Sequence, residues 1–357
     1  MALTQVDQGL LSSTAQYTGF KNRIINGAQV INQRNATVTT ASTFVTDRWQ
    51  VDNLTTSGAV SFAQNSTAPA GFTNSLKITV TTADAAVASS DLVEFRQWIE
   101  GYNTADFNFG SASAGTFTIS FWVNSSVTGT YGVSFRNSAS DRVYVATYTV
   151  NASNTWEQKT ITVAGDTSGT WLTDNGRGLG IAFCVMGGSA VQGTAGSWGS
   201  TNNRTTSAQA NLLATINNTF YITGVQLEKG STATSFDYRP YTTELQLCQR
   251  YFYKVTGQNG YSTLGSGQAM STTQGRVAVT YPVTMRATPT ITYGGTVLLT
   301  DSGANGITVT SILAQYGTET GGMLAVGVAS GISAGNATLF MTQSGSISNF
   351  IQASIEL

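Results

Sequence analysis

The chain has 357 residues, of which only 10% are charged, and it contains no histidine. Globular proteins carry about 25% charged residues on average. The missing histidine excludes a Ser-His-Asp triad, a Cys-His dyad, histidine-ligated zinc and a histidine general base. With 17 basic and 18 acidic residues the net charge is −1, which argues against a protein that neutralises nucleic-acid phosphates.

The other residue counts indicate a folded chain of strands. Two cysteines, Cys184 and Cys248, allow at most one disulfide bond, so no disulfide scaffold carries the fold. Aromatic residues are plentiful, with 16 Phe, 14 Tyr and 6 Trp. Low charge combined with many aromatic residues is not the signature of disorder. It fits a β-rich chain with large cores and faces covered by Ser, Thr and Asn.

The first residues are polar and show no clear period. They lack a basic stretch followed by an apolar run, so we expect no signal peptide and synthesis in a cytoplasm. No stretch of the chain approaches the roughly 20 apolar residues of a membrane helix, so we expect no membrane insertion. The first β-like run covers residues 23–32. We predict that residues 1–40 form an N-terminal arm.

Residues 41–240 read as strand after strand. Apolar and polar residues alternate in runs rich in β-branched and aromatic side chains, and Gly, Asn, Ser and Asp separate the runs, which indicates antiparallel strands. About eight such runs favour a two-sheet sandwich of the jelly-roll kind. Seven of the clearest are residues 75–81, 115–123, 131–136, 142–150, 157–163, 179–185 and 219–228.

A short helical connector is predicted over residues 241–254. Thr243 and Gln246 have the spacing of a capping box. Leu245 and Cys248 have the spacing of two residues on one helix face. We expect one to three helical turns here, followed by a strand that begins at Tyr251.

Residues 255–357 are predicted to form a second all-β domain, a C-terminal β-sandwich. We expect the final run, residues 350–357, to pair inside a sheet. Only five charged side chains follow Lys254, namely Arg276, Arg286, Asp301, Glu319 and Glu356. Because charge keeps surfaces soluble and unassociated, a domain with so few charges suits a protein that buries its flanks against copies of itself. The predicted fold is therefore all-β: arm, jelly roll, connector and second sandwich.

Carboxylates are the only candidate catalytic acids. A glycosidase needs two of them roughly 5–10 Å apart across a cleft. The alternative is that they are exposed or paired with arginine, and this alternative leads us to expect no catalytic residues. A calcium site built from Asp side chains and carbonyls stays open, although no EF-hand-like run is present. We expect no metal site and no cofactor. The carboxylates considered are Glu94, Glu100, Asp106, Glu157, Asp166, Asp174 and Glu228.

Tryptophans in loops are the candidate binding residues. Trp171 and Trp198 lie among Gly, Ser, Thr and Asn, where an aromatic face next to hydroxyl and amide groups suits stacking on a sugar ring. We predict Trp171, Asn175 and Trp198 as ligand-binding residues. The alternative is that the two indoles anchor their loops on the sandwich. Trp98 and Trp122 lie within apolar-periodic strands and are predicted to be core residues.

Several segments together resemble bacteriophage tail-fibre and tail proteins. Residues 22–28, 32–35 and 47–49 resemble the opening of many such proteins. Residues 121–131 and 165–171 resemble their jelly-roll domain, which is similar to carbohydrate-binding modules. The resemblance covers roughly residues 18–290, and it brings no catalytic residues with it.

The most specific part of the resemblance joins the jelly roll to the C-terminal domain. It covers residues 224–236 and continues through 239–241, 244–245 and 248–251. Lys229 stands where the family usually has valine. Residues 282–289 match a strand and turn of such C-terminal domains.

The resemblance implies a virion structural protein, a tail fibre or tail-associated protein that mediates attachment to the bacterial surface. The arm over residues 1–40 would bind other virion proteins, and the tail is the expected location. Such fibres resemble homotrimers. The implied ligand is host surface polysaccharide, bound through several copies so that avidity replaces one strong site. No catalytic activity is expected.

Three alternatives remain open from the sequence. The first is a capsid decoration protein or head fibre with a purely structural role, since the same modules occur there. The second is a polysaccharide-degrading tailspike, for which a long regular β-helix repeat would be expected, and the chain shows no such period. The third is a secreted carbohydrate-binding module, which the expected lack of a signal peptide disfavours.

Overall fold

A computed structural model describes residues 21–301 and 306–357. The chain divides into two compact units between Tyr241 and Thr242. The described residues contain 21 strands, one α-helix and a few 3-10 turns. The predicted all-β fold class with a short helical connector is therefore confirmed.

The first unit is a two-layer antiparallel sandwich. A seven-stranded sheet has the order β1-β2-β5-β10-β7-β8-β11, and a five-stranded sheet has the order β3-β4-β12-β6-β9. The strands are β1 (Thr43–Thr46), β2 (Trp49–Thr55), β3 (Ala59–Asn65), β4 (Ser75–Thr82), β5 (Leu92–Glu100), β6 (Phe117–Ser125), β7 (Gly129–Arg136), β8 (Val143–Val150), β9 (Glu157–Val163), β10 (Arg177–Gly187), β11 (Trp198–Gly199) and β12 (Thr219–Lys229).

The core lies between these two sheets and is rich in rings. On β6 the alternate residues Phe117, Phe121 and Val123 are fully buried in it. Removing such a side chain from water contributes about 1.5–3 kcal/mol. Trp122 lies between Phe121 and Val123 on the opposite face of the sheet, is half-buried, and does not belong to the core. The prediction that Trp122 is a core residue is wrong, because the period of two assigns neighbours to opposite faces.

Residues 21–40 pack on the sandwich and differ in this from the predicted arm. Ile24 and Val38 are buried in the core cluster, and Val38 forms an antiparallel bridge with Phe62. Asn22 donates from Nδ2 to the carbonyl of Val225, 3.0 Å away. The apolar side chains of this segment are buried against the sandwich. The backbone of the segment forms hydrogen bonds with the adjacent strand β12. The remainder of the predicted arm, residues 1–20, lies outside the described residues.

Two segments that carry the sequence resemblance form one hydrogen-bonded element. Asp237 Oδ2 accepts hydrogen bonds from the backbone N–H groups of Lys21, at 2.9 Å, and of Asn22, at 3.3 Å. The Arg239 guanidinium donates to the carbonyls of Asn22 and Ile24. The start and the end of the sandwich are thus linked by hydrogen bonds, although more than 200 residues separate them in the sequence.

The helix α1 (Tyr241–Gln249) agrees with the predicted connector, and all of it except Tyr241 belongs to the second unit, which begins at Thr242. This unit contains a three-stranded sheet of order β13-β21-β16 and a closed barrel β14-β15-β19-β18-β17-β20. Its strands are β13 (Phe252–Gly257), β14 (Thr263–Ala269), β15 (Gln274–Thr280), β16 (Thr290–Gly294), β17 (Val297–Asp301), β18 (Ile307–Gly317), β19 (Gly321–Val328), β20 (Ala337–Thr342) and β21 (Ser346–Ser354).

The last strand, β21, pairs with β13 on one side and β16 on the other, as expected for a final run inside a sheet. The barrel core is mainly aliphatic, with Leu299, Val326 and Phe340 among its buried residues. Most side chains of β18 are exposed, including Leu313 and Tyr316. The second unit therefore presents apolar groups on a surface that has few charges.

Candidate functional site

The structure brings Trp171 and Trp198 into contact. Their ring centroids are 5.4 Å apart and the rings are nearly perpendicular, at 88°. Phe109 lies 4.8 Å from Trp171, and Tyr144 lies 5.4 Å from Trp198. All four rings are partly buried and pack against the edge of the sandwich core. We call these four residues the aromatic cluster.

Backbone contacts fix both indoles of the aromatic cluster. Trp198 Nε1 donates to the carbonyl of Ala164 at 2.8 Å, and Trp171 Nε1 donates to the carbonyl of Ser168 at 3.1 Å. Trp198 belongs to β11, where it pairs with Tyr144 of β8. Both indoles therefore anchor their loops on the sandwich while leaving part of their ring surface exposed, and their role in ligand binding stays a prediction.

The turn before Trp171 is held by an ion pair. Arg142 donates from Nε and Nη2 to the two carboxylate oxygens of Asp166, each at 2.7 Å. This hydrogen bonding to Asp166 raises the pKa of Arg142 above its usual value. Gly169 has a φ of 81°, a left-handed conformation that suits glycine, and it lies against the Arg142 side chain. The loop that presents Trp171 is therefore rigidly positioned.

Asn175 is half-buried and lies in the same loop, between β9 and β10. Its neighbours tie this loop to the end of β5, because Gly101 N donates to the carbonyl of Gly176 and Tyr102 N donates to that of Asp174. The ring contact joins Trp171 and Trp198, whereas the contacts around Asn175 are directed to β5. The role of Asn175 as a binding residue stays a prediction.

A second polar site, which the sequence did not predict, covers the outer face of the seven-stranded sheet. On β5, Phe95 and Ile99 face the core, whereas Glu94, Arg96 and Trp98 face outward. Trp98 is buried, as predicted, but it lies outside the cluster of apolar side chains between the two sheets. The alternation of side chains along β5 places Trp98 on the outer face. The apolar character of tryptophan favoured a core position instead, and the prediction followed that.

Ion pairs connect this outer face across three strands and a loop. Asp52 of β2 pairs with Arg96 of β5 and with Arg136 of β7. Arg204, in the loop after β11, donates from Nε to Glu94 Oε1 at 3.0 Å. Arg136 Nη1 lies 3.9 Å from the same Glu94 oxygen. We call these residues, with Trp98, the arginine network.

Burial and neighbouring charges shift the pKa values in the arginine network. Burial raises the pKa of Glu94, and the nearby Arg204 and Arg136 oppose that shift. Burial acts to raise the pKa of Asp52, but Arg136, a hydrogen bond with Glu94 and Arg96 outweigh it, so this pKa is lowered. Burial lowers the pKa of Arg96 to about 10. The network thus holds charges that are partly removed from water and depend on one another.

A cavity of about 160 Å³ lies on the same outer face, at β8 and β11. Its apolar floor is Val143 and Val145, and its polar wall includes Thr194, Ser197 and Asn203. An apolar floor with a few polar groups is the usual construction of a small-molecule site.

Two kinds of site are not found in the part of the chain that the structure describes. No group of three or more His, Cys, Asp or Glu side chains there could hold a metal ion. No helix there is long and apolar enough to cross a membrane.

No protein-family model and no curated protein matches the chain. Solved structures match it. One is the enzymatically active domain of tailspike protein 4 from bacteriophage CBA120, with 14% identity and a TM-score of 0.31. That match covers 58% of this chain and 21% of the tailspike chain, so only about a fifth of that protein is represented.

Two further matches are sugar-related by their descriptions. A putative sugar-binding protein from Bacteroides thetaiotaomicron has 12% identity and a TM-score of 0.32, covering 59% of this chain and 100% of its own. The family 11 carbohydrate-binding module of a Clostridium thermocellum cellulosomal cellulase has 13% identity and a TM-score of 0.29, covering 56% of this chain and 97% of its own.

Proposed function

We propose that this chain is a non-catalytic phage virion protein, a tail fibre or tail-associated protein, that attaches to polysaccharide on the bacterial surface. The observation that supports this most is the aromatic cluster, in which Trp171 and Trp198 meet at 5.4 Å among hydroxyl-bearing loops. Rings with an apolar body and a polar tip are suited to surfaces that are partly wet, such as a sugar ring with its hydroxyl groups.

We further propose that the chain acts as a homotrimer whose N-terminal residues bind other virion proteins. The second unit supports self-association, because Leu313 and Tyr316 of β18 are 64% and 69% exposed on a domain with few charges. Three copies would present three aromatic clusters, so a weak contact with each sugar chain would give firm attachment. Light scattering should give a particle of three 37.5 kDa chains.

The attachment proposal is tested by replacing the two indoles separately. Trp171→Ala and Trp198→Ala should each weaken adsorption of the purified protein to host cells about tenfold, since each removes an aromatic contact surface. Trp156→Ala is the matched control, because Trp156 is also half-buried but contacts Tyr221 on the five-stranded sheet.

Folding must be measured on the same samples, because the aromatic cluster also packs against the core. Trp198→Phe keeps most of that packing, so its melting temperature should lie close to that of the unmodified protein. Unchanged adsorption of both alanine variants, with their folding intact, would count against the proposal. Labelled antibodies on intact particles would separate a tail location from a capsid location.

A further inference from the structure

Trp98 lies at the centre of three arginines. The guanidinium carbons of Arg96, Arg136 and Arg177 lie 5.6, 5.4 and 5.3 Å from its ring centroid. Cations within about 6 Å of an indole face are attracted to it. The indole also lies across the central strand, because a Cβ on Gly180 would meet its ring at 2.6 Å. The Trp98 ring thus lies close to three guanidinium groups at once.

The arginines of this group lie close to one another, and Arg177 is the register partner of the buried Glu100 on β5. In the described part of the arginine network, Asp52 and Glu94 are the carboxylates that pair with Arg96, Arg136 and Arg204. Arg177 adds a further guanidinium and makes no ion pair in the described residues. Arg136 and Arg177 both contribute to the lowered pKa of Arg96, although burial is the larger cause and Asp52 opposes it. Like charges therefore crowd this end of the sheet.

Buried donors in the same group are also without acceptors. Trp98 Nε1 and Arg136 Nε are buried and have no hydrogen-bond partner in the described residues, and the two side chains are 4% and 1–2% exposed. A buried donor without an acceptor is costly and uncommon. Since both groups can only donate, a ligand that satisfies them must supply acceptor oxygens.

Access to this group is through Arg177. Its side chain is exposed at the first position of β10, directly after the loop that carries Trp171 and Asn175. Arg96 is only 15% exposed, and its donors are already used, since Nε and Nη2 donate to Gln50 Oε1 at 3.2 and 3.0 Å and Nη1 pairs with Asp52. A guanidinium presents a planar fork that matches the two oxygens of a carboxylate or phosphate.

The cavity on the outer face continues the same surface. Arg136 of β7 and Val143 of β8 are register partners, so they lie side by side on one face. From Trp98 on β5 to Val143 on β8 there are three strand spacings, which amount to about 14 Å. This length suits an oligosaccharide segment that crosses the strands.

We infer that the outer face of the seven-stranded sheet is a binding site for an anionic glycan, whose carboxylate or phosphate is bound by Arg177 beside Trp98. The adjoining cavity, floored by Val143 and Val145, accepts a neighbouring sugar. The inference takes from the proposed function only that the ligand is a glycan, and it uses different residues from the aromatic cluster.

Matched pairs of probes test this site. Oligogalacturonate should bind the full chain and its fully methyl-esterified form should not, because esterification removes the charge and keeps the sugar. Phosphorylated dextran and plain dextran test the phosphate source in the same way. Binding is measured by titration calorimetry at low salt and should weaken as salt is raised.

The variant Arg177→Gln should weaken binding of the charged probe about tenfold or more, since it removes a charge-assisted hydrogen bond. Arg177→Lys keeps the charge but loses the fork, so its binding should be intermediate. Lys77→Gln is the charge-matched control on the five-stranded sheet, where Lys77 lies over Tyr221, and it should bind like the unmodified protein. Arg177 is exposed, so these substitutions should leave the melting temperature unchanged.

Three results would overturn the inference. They are equal binding of charged and neutral probes, no binding of either charged probe, and charged-probe binding that Arg177→Gln leaves intact. The attachment proposal is tested with different variants, at Trp171 and Trp198. It is also tested by a different measurement, which is adsorption to host cells. The failure of one proposal is therefore distinguishable from that of the other.

Discussion

The two units are both built from antiparallel strands, yet they bury different kinds of side chain. The sandwich buries a layer of rings between two sheets, and it also buries an arginine network on its outer face. The second unit, whose barrel closes around an aliphatic core, has only eight charged residues over Thr242–Glu356. A wide space between two sheets admits stacked rings, whereas six closed strands leave room for little more than branched aliphatic side chains.

This contrast shows where each unit can specialise. In the first, charged and aromatic groups are fixed by several strands at once, which suits recognition of a particular ligand. In the second, exposed apolar and hydroxyl side chains with few charges suit contact with a like surface. We therefore assign recognition to the sandwich and assembly to the barrel unit within the proposed function.

The largest expected effect comes from the ring layer. Phe95 stacks on Phe183 at 5.4 Å and also contacts the Trp49 and Phe220 rings. Phe95→Ala should lower the free energy of unfolding of the first unit by about 3–5 kcal/mol, through lost burial and the cavity that remains. Denaturant unfolding should then show an earlier transition for the sandwich and an unchanged one for the second unit.

The control for this change is Tyr102→Ala, since Tyr102 is an exposed ring of the same unit, and neither transition should shift. If Phe95→Ala moved both transitions together, the two units would unfold as one and the contrast between them would lose its energetic basis.

The arginine network should give the next effect. Arg204→Met removes a cation that pairs with the buried Glu94, and breaking a buried pair costs about 3–5 kcal/mol. Because burial already raises the pKa of Glu94, losing Arg204 should raise it further. The destabilisation should therefore be largest at high pH, where folding keeps Glu94 charged, and should shrink as the pH falls and Glu94 takes up a proton.

Thermal unfolding of Arg204→Met between pH 4 and pH 9 measures this dependence. The double variant Arg204→Met with Glu94→Gln no longer has a Glu94 carboxylate that lacks Arg204, so it should recover part of the stability and lose the pH dependence that Glu94 causes. A pH-independent loss in the single variant would mean that packing of the Arg204 side chain, rather than charge, is its contribution.

The smallest effect concerns the barrel core. Ile332 is buried in the second unit, and Ile332→Val removes one methylene group, which should cost about 1 kcal/mol in the second transition only. Ile216→Val makes the same change at a position that is 53% exposed in the first unit, and it should shift neither transition. If Ile332→Val lowered the free energy of unfolding by much more than about 1 kcal/mol, the aliphatic core would be packed as tightly as the ring layer.

The strand pattern could be predicted from the sequence because alternation leaves a direct trace. The predicted run 75–81 corresponds to the strand Ser75–Thr82, and the predicted connector contains α1, although this helix begins at Tyr241 and Thr243 therefore lies inside it rather than at its N-cap. The burial of residues 21–40 could not be predicted in this way. It depends on β12, which comes roughly 200 residues later, and on hydrogen bonds that local periodicity does not encode.

The candidate site was predictable in part for the same physical reason. Loop composition indicated Trp171 and Trp198, and the structure brings these two rings together. The arginine network was missed, since Asp52, Arg136 and Arg204 are far apart in sequence and meet only through strand order. The two-residue period of a strand indicates which face of the sheet a side chain occupies. It does not indicate which distant strand lies beside that side chain.

Lys21 and Asn22 form hydrogen bonds with Asp237 and Arg239, which brings the two ends of the described sandwich together. The first described residues of the sandwich and the residues that precede α1 therefore lie side by side. A body attached in this way can be replaced by another of different recognition while whatever precedes and follows keeps its spacing. Under the proposed function, recombination between genes could therefore exchange the ligand specificity while keeping the proposed assembly.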